Sequence, residues 1–176
     1  MPETPKREHF EQSVLPHLDA AYNLARWLTR NEQDAQDVTQ EACLRAFRFF
    51  EGYQGGNMRA WFLTIVRNTC YTWLSQNRSP GTNEEFNEEI HSTEDSGGAS
   101  PELQALAGAD RETLRRALEE LPDVFREVLV LREIEGMSYK EIAEVSSVSL
   151  GTVMSRLARA RTRLRQALGA AMGKES

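Results

Sequence analysis

The last third of this chain constrains its fold most, because it predicts two short helices joined by a tight turn. Ser138 and Glu141 have the spacing of a capping box that begins the first helix. The segment SSVS then ends that helix, and Ser149 can cap the second. In the second helix, apolar residues recur three and four positions apart and predict one buried stripe: Leu150, Val153, Leu157, Ala160 and Leu164. This pattern is typical of a helix-turn-helix that binds DNA.

The opposite side of the second helix carries hydroxyl and arginine side chains, which can reach base edges and phosphates from the major groove. A solvated helix or a membrane-surface helix is the alternative interpretation of a cationic amphipathic pattern. Five arginines and no acid between Val145 and Gly173 disfavour a solvated helix, and a stripe without tryptophan or phenylalanine disfavours a membrane anchor. The predicted DNA-binding residues are Ser149, Thr152, Ser155, Arg156, Arg159 and Arg163.

The formal net charge of −6 is unevenly distributed along the chain. Residues 1–78 hold nine basic and nine acidic side chains, and residues 101–176 hold twelve of each. The other six acids lie in residues 79–100, which contain no lysine or arginine and few apolar residues. Such a composition cannot bury enough surface to fold alone. We therefore predict a domain at 1–78, a flexible acidic linker at 79–100 and a helix-turn-helix domain at 101–176.

Several classes of protein are disfavoured by what the sequence lacks. No apolar run reaches membrane-spanning length and the amino terminus has no apolar signal core, so we expect a cytoplasmic protein without membrane insertion. The three histidines are isolated and no catalytic triad or phosphate-binding glycine loop occurs. We expect no enzyme activity, metal, cofactor or small-molecule substrate. Cys43 and Cys70 are interpreted as small buried apolar residues.

Helical periodicity occurs in both halves, without strand-like alternation, and predicts an all-α fold. The first predicted helix spans about residues 7–30, and Asn31 can cap the second. A third begins near Met58, and two more span 103–121 and 124–135. The predicted buried stripe of the second helix is Ala35, Val38, Ala42, Ala46 and Phe49.

Two polar strips in the first domain have open interpretations. The second helix carries a strip of mixed sign that includes Asp37, Glu41 and Arg45, and a solvated surface would explain it. The third helix carries Arg67 and Tyr71 beside a glycine-rich loop, which suits single-stranded nucleic acid. Ordinary core packing explains the aromatic residues of that helix equally well.

Four stretches together resemble a known family: DAQDVTQEACLRAFRFF, MRAWFLTIVRNTCYTWL, LPDVFREVLVLREIEGMSYKEIAEV and GTVMSRLARARTRLRQAL. Their order and spacing, with the acidic segment between them, are similar to those of the extracytoplasmic-function (ECF) sigma factors of bacterial RNA polymerase. The resemblance implies a factor that binds core RNA polymerase, directs promoter recognition and melting, and serves a stress or envelope response. It also implies control by an anti-sigma factor.

The resemblance assigns roles to the ambiguous strips. It implies that the second helix docks on the clamp helices of the largest polymerase subunit, through Asp34, Asp37, Gln40, Glu41, Leu44 and Arg45. It implies that the glycine loop and third helix open the −10 element and capture an unpaired base, through Gly55, Gly56, Asn57, Arg59, Trp61, Arg67, Asn68 and Tyr71. The helix-turn-helix would read the −35 element as duplex, and the linker would thread the polymerase cleft.

Two positions depart from the family pattern. Ser147 stands in the turn where the family usually has glycine, and Met154 stands where it usually has lysine. Serine takes the turn conformation at a cost, and the methionine removes one possible phosphate contact. The alternatives are a stand-alone helix-turn-helix regulator with an amino-terminal sensor domain and a helical adaptor that sequesters another regulator.

Overall fold

The computed structural model describes residues 3–77 and 110–173, and no strand occurs within those ranges. The described residues divide into two compact units, one before residue 78 and one after residue 109. The predicted acidic linker lies outside the described residues. The helices before residue 78 are α1 (Glu3–Val14), α2 (Leu18–Thr29), α3 (Glu32–Phe49) and α4 (Met58–Asn77). The helices after residue 109 are α5 (Arg111–Glu119), α6 (Asp123–Leu129), α7 (Tyr139–Ser146) and α8 (Leu150–Gly173).

The expectation of one helix over residues 7–30 was wrong, because the chain forms two helices there. A short 3-10 turn, Leu15–His17, separates α1 from α2. Pro16 has no backbone N–H to donate, and its ring crowds the preceding helical turn. The regular helix is therefore interrupted at Pro16, and α2 packs against α3 and α4.

The core of the first unit lies where α2, α3 and α4 pack against one another. Asn31 caps α3 as predicted, since its side-chain oxygen accepts a hydrogen bond from the Asp34 N–H at 3.0 Å. Three alanines of α3 are fully buried and allow its neighbours to approach closely. The main buried side chains are Leu24, Leu28, Ala35, Val38, Ala42, Ala46, Phe62, Leu63 and Val66.

Phe49 was predicted in the buried stripe of α3, but 58% of it is exposed. Phe50 is buried instead. The α-helix ends at Phe49 and a 3-10 turn, Phe50–Gly52, follows, so the helical periodicity no longer decides which ring turns inward. Cys43 likewise differs from the prediction, because it is only partly buried, whereas Cys70 is buried as expected. Burial raises the pKa of the Cys43 thiol.

In the second unit, α8 packs on α5 and α6. A π-helical turn, Val130–Ile134, continues α6 and is followed by Gly136 at φ +65°. Arg126 is fully buried on α6. Its guanidinium donates to the Leu121 carbonyl at 2.5 Å and to the Asp123 carboxylate at 2.6 Å. This arginine thereby satisfies a carbonyl just beyond the end of α5.

Candidate nucleic-acid interface

The turn between α7 and α8 is built as the sequence predicted. The Ser138 N–H donates to the Glu141 carboxylate at 3.0 Å, and the Glu141 N–H donates to the Ser138 hydroxyl at 3.1 Å. Ser149 caps α8, because its hydroxyl accepts from the Thr152 N–H at 3.1 Å. Ser147 lies in the left-handed region at φ +55°, the conformation expected at the position where glycine is usual.

Helix α8 separates a buried stripe from an exposed polar face. Four of the five predicted stripe residues are buried, but Leu150, at the first turn, is 50% exposed. On the other face, Thr152, Ser155 and Arg159 are partly exposed, and Arg163 is exposed. The Ser155 hydroxyl donates to the Thr152 carbonyl at 3.2 Å. The exposed face therefore offers hydroxyls near the start of α8 and arginines further along.

Arg156 does not lie on this exposed face, contrary to our prediction, since only 8% of it is exposed. It follows Val153 by three positions and precedes Ala160 by four, and both of those residues are fully buried. Helical spacing therefore brings Arg156 to the flank of the core stripe. Its guanidinium would have to leave the interior to reach a base edge.

Two other arginines of α8 are held by neighbours within the second unit. The Arg161 guanidinium donates to the Glu133 carboxylate at 3.3 Å. The Arg163 guanidinium lies over the Phe125 ring, 5.1 Å from its centroid. The Arg163 side chain is thus oriented by a cation–π contact while remaining exposed.

The loop before α4 depends on two glycines. Gly55 and Gly56 have φ of +91° and +101°, a conformation that residues with a Cβ rarely adopt. Apart from the glycine itself and its chain neighbours, no heavy atom of the described residues lies within 4 Å of where a Cβ would stand at either position, so the space beyond the loop is open. Asn57 caps α4, because its side-chain oxygen accepts from the Ala60 N–H at 3.0 Å. A predicted base-contacting residue thus has a structural task as well.

An aromatic cluster that the sequence analysis missed supports this loop. Phe50 lies 6.3 Å from Tyr53 in a stacked arrangement and 6.2 Å from Trp61 in an edge-on one, measured between ring centroids. The Tyr53 hydroxyl donates to the Gly56 carbonyl at 2.6 Å. The run FEGYQGG, with two aromatic rings three residues apart directly before the glycines, was the signal that could have identified Tyr53.

The predicted polar strip of α4 lies at least partly at the surface. Arg67 is partly exposed and its guanidinium lies over the Tyr71 ring, 4.2 Å from the centroid. Asn68 is exposed and Arg59 is partly exposed. Burial, and then the charge of the Arg59 guanidinium, lower the pKa of His17, which places that positive charge near the 3-10 turn before α2. The strip thus presents stacked cationic and aromatic groups.

The predicted docking residues of α3 all lie at its surface. Leu44 is 58% exposed on a helix whose opposite side is buried. Arg45 pairs with Glu41 at 3.2 Å, and Asp37 accepts a hydrogen bond from Gln33 at 3.3 Å. Asp34 is partly exposed and Gln40 is exposed. An apolar side chain thus stands among exposed charges on one face.

The part of the chain that the structure describes brings together no group of three or more histidine, cysteine, aspartate or glutamate side chains able to hold a metal ion. Within the same residues, no helix is both long enough and apolar enough to span a membrane.

Comparisons with known proteins match both units. Residues 14–79 match the Sigma-70 region 2 family, and residues 111–164 match the family described as Sigma-70, region 4. A similar chain occurs in the co-crystal structure of the sigma factor RpoE with the anti-sigma factor NepR from Bartonella quintana, with a TM-score of 0.69 and 27% identity over 92% of this chain and 98% of that one. Another occurs in the structure of CnrH with the cytosolic domain of CnrY, with a TM-score of 0.66 and 27% identity over 93% and 90%.

The curated relatives are sigma factors of RNA polymerase, and two of the three carry the ECF name. The ECF RNA polymerase sigma factor SigE of Mycolicibacterium smegmatis is 37% identical over 90% of this chain and 61% of its own length. The RNA polymerase sigma-H factor of Pseudomonas aeruginosa is 34% identical over 90% of this chain and 86% of its own. The ECF RNA polymerase sigma-E factor of Escherichia coli K12 is 36% identical over 73% and 70%. The chain therefore belongs to the ECF sigma factors, which direct transcription initiation by bacterial RNA polymerase.

Proposed function

We propose that the chain is a non-catalytic cytoplasmic subunit that uses three separate surfaces during initiation. Residues 1–78 bind core polymerase and the −10 element, residues 101–176 bind the −35 element, and residues 79–100 connect them. The observation that carries this proposal is the placement of the α3 and α8 surfaces opposite the buried residues of their own helices, so that binding there does not require the core to open.

For the −35 element, we propose that the exposed face of α8 lies in the major groove. Thr152, Ser155 and Arg159 contact base edges, with Ser149 at the start of α8, while Arg163 holds a phosphate. Arg156 supports the helix from within, because its side chain is buried. The sequence pattern had instead indicated that Arg156 binds DNA.

The test compares Arg159→Ala with Arg163→Ala in holoenzyme on single-base variants of the −35 element at several salt concentrations. We expect Arg159→Ala to relax the preference at one or two positions by about 1 to 3 kcal/mol. Arg163→Ala should weaken binding evenly and reduce the salt slope by about one unit. Uniform loss with Arg159→Ala would instead make Arg159 a phosphate contact.

For the −10 element, we propose that the glycine loop and the exposed strip of α4 receive an unpaired base. Gly55, Gly56 and Asn57 form the loop, and Arg59 and Trp61 lie in the first turn of α4. The open space beyond the two glycines and the guanidinium stacked on Tyr71 support this proposal. Further along α4, Arg67 and Asn68 complete the strip.

Gly56→Ala and Gly52→Ala provide a matched test, because both positions have open space but only Gly56 has a positive φ. Strain of about 1 to 3 kcal/mol should oppose the native loop in Gly56→Ala. We expect slower promoter opening, measured as permanganate reactivity of unpaired thymines, while Gly52→Ala opens like the wild type. Equal opening by both variants would remove the loop from the melting step.

For core binding, we propose that α3 docks on the clamp helices of the largest polymerase subunit. Leu44 supplies the apolar contact and the Glu41–Arg45 pair supplies charge, and the exposure of Leu44 is the main support. Asp34, Asp37 and Gln40 complete the contact. Calorimetric titration of core polymerase should show weaker binding by the Glu41→Ala, Arg45→Ala double variant.

The matched control is the Arg7→Ala, Glu11→Ala double variant of α1. It removes an ion pair between residues that are likewise four positions apart, with a similar N–O distance of 3.1 Å. We expect the control to bind core polymerase like the wild type. Equal affinities of the two double variants would leave the polar face of α3 as an ordinary solvated surface.

We also propose that an anti-sigma factor holds this chain inactive until a stress or envelope signal arrives. Support comes from the two similar solved structures, one of a sigma factor bound to an anti-sigma factor and one of CnrH bound to the cytosolic domain of CnrY. Affinity purification of the full chain from unstressed cells should recover a stoichiometric partner that is absent after induction. Recovery of core polymerase alone under both conditions would contradict this regulation.

The six acids of the linker are proposed to lie in a positively charged channel of the polymerase. Replacing Glu84, Glu85, Glu88 and Glu89 with glutamine should then change the yield of abortive transcripts more than promoter binding. A neutral Gly/Ser linker of equal length that gave the same product profile would reduce the segment to a tether.

A further inference from the structure

Tyr53 fixes the chain immediately before the glycine loop at two points. Its N–H donates to the Phe50 carbonyl at 3.1 Å, which closes the 3-10 turn. Its hydroxyl reaches forward and donates to the Gly56 carbonyl at 2.6 Å. One side chain thus ties the beginning of the loop to its second glycine.

The Tyr53 ring is itself held in place. It stacks on Phe50, which is buried, and lies 5.4 Å from the Trp61 ring at an interplanar angle of 55°. Trp61 lies in the first turn of α4, after the loop. The hydroxyl is therefore presented to the loop by a ring that contacts the structure on both sides of the loop.

The loop needs such a restraint because glycine loses more conformational freedom on ordering than any other residue. Two consecutive glycines at positive φ would sample many conformations without an added contact. A binding site that is ordered beforehand does not spend binding free energy on ordering itself. The Tyr53 hydroxyl bond supplies that order while leaving the space beyond the glycines open.

We propose that Tyr53 is a positioning residue for base capture, whose hydroxyl holds the glycine loop in the shape that receives the unpaired base. The inference rests on the proposed role of the glycine loop at the −10 element. It concerns a residue that acts through Gly56 and does not itself contact the base.

The test uses holoenzyme containing the full chain and promoter fragments with one abasic site at each position of the non-template −10 strand. Tyr53→Phe keeps the ring and removes only the hydroxyl. Tyr22→Phe removes one tyrosine hydroxyl from α2 and is the matched control. The rate of promoter opening is measured for each protein on the intact fragment and on each abasic fragment.

On the intact promoter we expect Tyr53→Phe to open about fivefold more slowly than the wild type, the effect of one lost hydrogen bond. In the wild type, one abasic position should slow opening by about tenfold, since stacking on protein is worth roughly that much per base. At that position Tyr53→Phe and the wild type should open at equal rates, because there is no base left to capture. Tyr22→Phe should match the wild type throughout.

Three outcomes would overturn the proposal. Opening by Tyr53→Phe at the wild-type rate on the intact promoter would mean that the hydroxyl does not position the loop. An equal slowing on the intact and the abasic fragments would make Tyr53 a general structural residue. If no abasic position slowed the wild type, base capture itself would be absent, and the inference would fail together with the proposed role of the loop.

Discussion

The two candidate DNA-binding surfaces are built in different ways. The α8 surface is one face of one amphipathic helix, and its caps at Ser138 and Ser149 are local contacts between residues three apart. The loop surface before α4 depends on rings from a 3-10 turn, a loop and a helix. The α8 surface can therefore follow from helical periodicity, whereas the loop surface requires packing between elements.

The sharpest way to test this difference is to compare Phe50→Ala with Phe49→Ala. Phe50 is buried and contacts several rings, so its loss should cost about 3 to 5 kcal/mol, whereas the exposed Phe49 should cost far less. All three tryptophans lie in α2 and α4, so tryptophan fluorescence during urea unfolding follows the first unit. Equal destabilisation by the two variants would mean that the ring cluster does not support the loop.

The second test concerns the buried arginine of α6, the helix against which α8 packs. Arg126→Ala removes the donors to the Leu121 carbonyl and the Asp123 carboxylate, and breaking such a buried pair costs about 3 to 5 kcal/mol. Arg116→Ala removes an exposed pair with Glu112 that solvent screens, so it should destabilise the second unit far less. Circular dichroism should record the Arg126→Ala loss while the tryptophan transition stays unchanged. A loss no larger than that of Arg116→Ala would make the buried arginine dispensable.

A smaller effect is expected at the turn before α8. Ser147 at φ +55° carries a left-handed strain of about 1 kcal/mol that glycine would relieve. Glycine also increases the entropy of the unfolded chain, which offsets about half of that gain. Ser147→Gly should therefore stabilise the protein slightly in urea unfolding, and Ser147→Ala should not. Destabilisation by Ser147→Gly would show that the serine side chain stabilises the fold by more than the backbone strain at φ +55° costs.

The smallest expected effect concerns the charge of His17, near the Arg59 guanidinium. Burial, followed by the Arg59 guanidinium, lowers the pKa of His17 from 6.5, so the unfolded state binds this proton more tightly than the folded state. Neutral His17 therefore favours the folded state fully at pH values above its pKa in the unfolded chain. This contribution is lost as the pH falls from there through the lower pKa of His17 in the folded protein. We expect His17→Gln to reduce the acid-induced loss of stability measured by unfolding at successive pH values below neutral. An unchanged pH dependence would exclude His17 as its source.

Much of the architecture follows from the sequence alone. The all-helical fold, the caps at Asn31, Ser138 and Ser149, and the beginning of α4 all depend on interactions within a few residues. The resemblance to ECF sigma factors, confirmed by family matches to both units, likewise depends on order and spacing along the chain. Pro16 alone could have predicted the break between α1 and α2. The prediction missed it because the apolar residues keep helical spacing on both sides of the proline.

Only the tertiary structure decided the burial of side chains that lie beside a buried stripe or at the end of a helix. Arg156 is buried beside the core stripe although the sequence pattern placed it on the polar face, and Phe50 rather than Phe49 turns inward because the helix tightens at its end. The aromatic support of the glycine loop joins elements through ring contacts that no periodicity encodes. Periodicity fixes which face of a helix is apolar, but the neighbouring elements determine how far burial extends around that face and where a loop is held.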